Sequence, residues 1–130
     1  MMFFASVLTF LGVCVCGGLG ATARFVLDTA VKLAWKHAFP LSTLIINIIA
    51  SLLAGMAGAA AAASAFPDPW HLMAVTGFLG GLSTFSTAIN EVVTLARGEH
   101  KAMAGYYLIA CIVVPVLCAA LGWQMMGALW

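Results

Sequence analysis

G-F-L-G-G-L-S-T-F-S-T, from Gly77 to Thr87, is an apolar run broken by a glycine pair and by four hydroxyl residues, with Asn90 and Glu91 close behind. Ser83, Thr84, Ser86 and Thr87 surround a single Phe85. The run around them, from Trp70 to about Ala96, has the length and apolar character of a membrane helix, which needs about 20 such residues. Hydroxyls and amides are costly in hydrocarbon unless they find partners. A lone Ser or Thr can bond back to its own helix, which accounts for one or two of them. Four within five residues, with an Asn on another helix, point to a polar pathway. Gly80-Gly81 weakens the helix, and a break there would free carbonyl oxygens near mid-membrane. Freed carbonyls can hold a small cation, and the start of the next half-helix favours an anion. A simple close-packing site for the two glycines is the alternative.

The rest of the chain has the same character. Of its 130 residues 65% are hydrophobic and 7% charged, against about 45–50% and about 25% in a soluble domain. A disordered chain and a soluble monomer are excluded, and a net charge of +1 offers nothing to a nucleic acid. We expect one all-α integral membrane domain over residues 1–130, with spans at about 2–26, 41–65, 70–96 and 102–127. The first run lacks the charged start and small-residue cleavage site of a signal peptide, so it is kept as a helix. Asp28, Lys32, Lys36 and His37 are expected in a loop at 28–40, closed by Pro40. Pro67, Asp68 and Pro69 end the second span, and residues 97–101 form the third loop.

All five basic residues, Arg24, Lys32, Lys36, Arg97 and Lys101, fall in the first and third loops or in the helix turns beside them. The positive-inside rule then places those two loops in the cytoplasm and both termini outside. The spacings of Cys14, Cys16, Cys111 and Cys118 do not converge on a disulfide or metal site, so they read as small packing residues. His37, His71 and His100 read as interfacial. Glycines in the first, second and fourth helices suit close helix packing in lipid.

In the second helix Thr43, Asn47, Ser51 and Gly55 recur every four residues and share one face. Arg24 closes the first helix, where it can snorkel to the surface or stand at a pore mouth and attract anions. Glu91, an ionisable residue within a span, is a functional candidate by default.

Three motifs carry a resemblance: G-G-L-G-A-T-A-R (Gly17 to Arg24), P-L-S-T-L-I-I-N (Pro40 to Asn47), and the Gly77 to Thr87 run with Glu91. Together they resemble the small bacterial fluoride channels known as Fluc or CrcB, across all four helices and in the right order. The resemblance implies a four-helix subunit that pairs antiparallel into a dimer, with two narrow pores along the interface. Fluoride would leave the cytoplasm passively through the plasma (inner) membrane, relieving toxicity. A structural sodium ion, not transported, would sit at the dimer centre on the backbone carbonyls of Gly80 and Ser83. The fluoride pathway would involve Asn47, Thr43, Phe85, Ser86, Thr87 and Tyr107, with Arg24 and Glu91 near the pore entrances. The chemistry suits a small, strongly hydrated anion: amides and hydroxyls donate hydrogen bonds, and a phenyl ring has a positive edge.

The sequence also departs from the family pattern. S-T-F-S-T-A stands where T-T-F-S-T-F is usual, so Ala88 replaces a second pore phenylalanine. In the fourth helix Tyr107 is followed by Cys111 and Pro115 where small hydroxyl residues are usual, and Pro115 removes a donor. Some members of the family work as pairs of oppositely oriented homologues. The charge bias and the missing pore residues favour that arrangement here over a homodimer, with a half-pore or non-conducting subunit as a further reading. A small multidrug-type transporter needs an acidic residue in its first helix. Here the first acidic residue, Asp28, is expected in the loop. No paired carboxylates or nucleophile–base set suggests an enzyme.

Overall fold

The computed structural model describes all 130 residues, Met1 to Trp130, and is helical throughout. Helix α1 covers Met2–Ala34, α2 Leu41–Ala62, α4 Ser86–Arg97 and α5 Lys101–Gly127. Between α2 and α4 lies α3, residues 72–82, a π-helical stretch (Leu72–Leu79) that passes into one α turn (Gly80–Leu82). Four stretches are long and apolar enough to cross a membrane: Met2–Ala34, Leu41–Ala62, Leu72–Arg97 and Lys101–Gly127. The third consists of α3 and α4 together.

Several expected boundaries move. Helix α1 does not stop near Val26 but continues to Ala34, so the 28–40 loop shrinks to residues 35–40. The charges that suggested a loop are accommodated in the helix, where Asp28 and Lys32 pair one turn apart at 2.8 Å. Asp28 therefore lies inside the first helix, and its position no longer argues against a multidrug-type transporter. Helix α2 ends at Ala62 rather than Ala65, where Ser64 enters the left-handed region at φ 57. Lys101 opens α5 instead of belonging to the loop. The π-helical stretch was not foreseen: the Gly80 N–H reaches back to the Val75 carbonyl, five residues earlier.

The break in the third span is present but falls at residues 83–85, just after the glycine pair. Gly80 and Gly81 are helical. Gly81 serves packing, because a methyl group there would strike the Gly17 carbonyl of α1, and one on Gly20 would strike the Phe78 carbonyl. Helices α1 and α3 thus meet backbone to backbone. Helices α2 and α5 do the same at Gly55 and Gly122, which face the Ala119 and Leu52 carbonyls. Close approach through small residues is how helices associate in lipid, where apolar side chains gain nothing by leaving the tails.

Two buried clusters flank the break. Ile46, Ala50, Leu79 and Leu82 pack α2 against α3. Leu44, Ala88, Leu95, Ala104, Tyr107 and Cys111 pack α2, α4 and α5. Helix α2 belongs to both clusters and so carries the side chains that can reach the break.

Candidate functional site

Most hydroxyls outside the break satisfy themselves locally. Ser6, Thr9, Thr22, Thr29 and Thr94 each donate to the carbonyl four residues earlier. The residues on α2 and around the break behave differently. Asn47, buried on α2, donates from Nδ2 to the Thr84 carbonyl at 2.7 Å and accepts the Thr84 N–H on Oδ1 at 2.8 Å. One amide matches both backbone groups of one residue, which also fixes which way the amide points.

This latch accounts for the break. In a continuous helix the Thr84 N–H would bond the Gly80 carbonyl, and the Thr87 N–H the Ser83 carbonyl. The first goes to Asn47 instead, and the second goes to Thr84 Oγ1 at 3.3 Å. Ser83 turns extended, with φ −74 and ψ 153. The Gly80 and Ser83 carbonyls, like that of Gly81, are therefore left without helical donors, and no side-chain hydroxyl or amide near the break bonds them. Thr84 was expected among the four hydroxyls of a polar pathway, but its backbone pairing with Asn47 and its role at the start of α4 were not foreseen. Its signal was present in the spacing Thr84-x-x-Thr87, a hydroxyl three residues before a free N–H at a helix start. Its own O–H lies 3.1 Å from Thr87 Oγ1, and Ser86 Oγ is 3.3 Å away.

One turn before Asn47, Thr43 donates to Glu91 Oε1 at 2.9 Å. Tyr107, fully buried on α5, donates to Glu91 Oε2 at 2.6 Å. The carboxylate thereby ties α2, α4 and α5 together. Phe39 packs edge-on against the Tyr107 ring at 5.4 Å.

Three clefts open around these junctions. Arg24, Asp28, Thr43, Thr84 and Thr87 line one of about 220 Å³. Asn47, Ser51, Phe85, Cys111 and Pro115 are among those lining a second of about 170 Å³. Gly80, Ser83 and Ser51 help line a third of about 220 Å³. Phe85 is 58% exposed on the subunit surface, and Ser86, Thr87 and Asn90 are exposed with it.

The sequence-derived residues therefore fall into groups. Asn47 meets the break, and Thr43, Glu91 and Tyr107 meet each other. Arg24 and Thr87 share a cleft, while Phe85 and Ser86 lie at the surface. Ala88 does not face a cleft; it is fully buried beside Tyr107 and Cys111. Ser42 was missed: its hydroxyl donates to Asp28 Oδ1 at 2.6 Å and joins α2 to the end of α1.

Comparison with known proteins agrees with this architecture. Residues 11–123 match the family described as CrcB-like protein, Camphor Resistance (CrcB). A protein named fluoride-specific ion channel FluC 3 from Bifidobacterium longum is 53% identical over 110 residues, covering 85% of this chain and 91% of the relative. FluC 1 of the same strain is 46% identical, covering 83% and 88%. FluC 2 of Cutibacterium acnes is 40% identical, covering 88% and 94%. With a match across nearly all of its four-helix body, the chain belongs to the CrcB family and is a multi-pass membrane protein.

Proposed function

We propose that this chain is a subunit of a fluoride-specific ion channel, not an enzyme, and that it lets fluoride leave the cytoplasm down its gradient. The observation that carries the reading is the break at residues 83–85, held open by Asn47 beside the exposed Phe85. Amide, hydroxyl and ring-edge groups converge there in a setting of low dielectric, where they replace water around a small anion. Relatives named for this activity match over most of the chain.

The pathway we assign runs past Asn47, Thr43, Phe85, Ser86, Thr87 and Tyr107, with Arg24 and Glu91 towards its entrances. The subunit works as an antiparallel dimer. Ser86, Thr87 and Asn90 are exposed near the middle of a membrane span, and a second subunit would shield them from lipid. The Gly80 and Ser83 carbonyls, deprived of helical donors, fit a hard cation such as sodium, and the same pair from a second subunit would complete an all-oxygen set. Such an ion would supply fixed positive charge near the pores.

We favour a homologous partner of opposite orientation over a homodimer. Lys32, Lys36, Arg97 and Lys101 lie at one end of the helix bundle, with Arg24 further inside α1 than the sequence suggested; this bias supports placing the 35–40 and 98–100 loops in the cytoplasm and both termini outside the plasma membrane. Pro115 lies on the Phe85 cleft in place of a donor, which weakens that side of the subunit's own pathway. The two Bifidobacterium relatives come from one strain.

The test is fluoride efflux from liposomes, followed with a fluoride electrode and with chloride as control. The purified chain is assayed alone and then with a co-expressed homologue. Selective efflux only in the pair supports the two-subunit reading. Efflux from the chain alone replaces that reading with a homodimer, and silence in every combination of folded protein overturns the channel. Accessibility tags that report both orientations for one terminus would overturn the fixed topology.

A further inference from the structure

Building on the fluoride-channel reading, we propose that Lys32 is a positioning residue: by holding the Asp28 carboxylate, it leaves the Arg24 guanidinium free to face a passing anion. Arg24, Asp28 and Lys32 stand four residues apart along α1, which puts one carboxylate between two cations on one helix face. The two possible pairs are not equivalent. An acid four residues before a base pairs better than a base four residues before an acid, so the helix itself favours Asp28–Lys32 over Arg24–Asp28.

The structure adds a second restraint. Lys32 Nζ lies 2.8 Å from Asp28 Oδ2, and the Ser42 hydroxyl donates to Oδ1 at 2.6 Å. Both carboxylate oxygens are engaged, and Arg24 has no ion pair in the subunit. This matters because Asp28 and Arg24 line the same cleft, beside the hydroxyl residues Thr43, Thr84 and Thr87. A carboxylate released there would swing to Arg24, neutralise it and repel an anion. Lys32 itself is exposed and does not line the cleft. It acts on the anion only through Asp28.

The experiment measures fluoride efflux in whichever combination conducts with the wild-type chain. Lys32→Met should slow efflux about tenfold at low ionic strength, the lower end of the range by which a charged cleft raises local ion concentration. The deficit should shrink in high salt, where exposed charges are screened. Lys32→Arg should retain wild-type flux. Asp28→Asn combined with Lys32→Met should restore it, a rescue that a purely structural lysine would not show. Lys32→Gln serves if the methionine variant fails to elute as a folded species. Wild-type flux in Lys32→Met, or in Lys32→Gln where it replaces it, or no rescue in the double variant, overturns this proposal and leaves the channel intact. A wild-type chain that is silent in every combination overturns both.

Discussion

Asn47 and Thr43 stand one turn apart on α2, yet they hold the third span in different ways. Asn47 grips the main chain, taking the N–H and the carbonyl of Thr84 at once. Thr43 grips a side chain, sharing the Glu91 carboxylate with Tyr107 from α5. The first junction determines where the chain leaves the helix, whatever side chain stands at position 84. The second sets how α2, α4 and α5 are rotated about one another, and it needs all three side chains. The first lines the cleft beside Phe85, whereas the second reaches a cleft only through Thr43, on the Arg24 side, and its Tyr107 is fully buried against Ala88 and Cys111.

Substitutions can separate the two junctions. Asn47→Ala should have the largest effect. It strips a backbone donor and a backbone acceptor of their partners, each worth about 1–3 kcal/mol when buried. The expected loss is about 3 kcal/mol in thermal unfolding of the detergent-solubilised protein, with fluoride efflux abolished. Tyr107→Phe comes next. It removes one bond to a charged group, worth about 2 kcal/mol, and leaves the break in place, so the protein should lose stability while the chain still turns at Ser83. Thr84→Ala should have the smallest effect. The Asn47 latch bonds the backbone and survives; what is lost is the bond from the Thr87 N–H, a capping interaction of about 1 kcal/mol, with the exposed hydroxyl contacts to Thr87 and Ser86. If Thr84→Ala proved as damaging as Asn47→Ala, the latch would not act through the main chain and the contrast would collapse.

How far the sequence could be read follows from how local each cause is. Four spans were legible because hydropathy over about 20 residues is a local property. The extra turns of α1 were hidden because Asp28 and Lys32 suggest a loop singly and support a helix once paired. The break was misplaced by a few residues for a related reason. Gly80-Gly81 does weaken a helix, but Gly81 is also the residue that lets α3 lie against Gly17, so packing holds it helical. The break sits where Asn47 can reach, and that residue lies 37 positions earlier in the chain. Glu91 was legible as an ionisable group in a span, but its two hydroxyl partners were visible only in three dimensions.

The latch also bears on how the protein is made. The third span cannot acquire its bend alone, because the amide that replaces its missing helical bonds belongs to α2. Taken singly in hydrocarbon, residues 72–97 would keep their backbone bonds by running straight. Helix α2 is synthesised first and would be in the bilayer when the third span arrives. The bend then forms on contact between two inserted helices, so the shape of the third span is an outcome of assembly order.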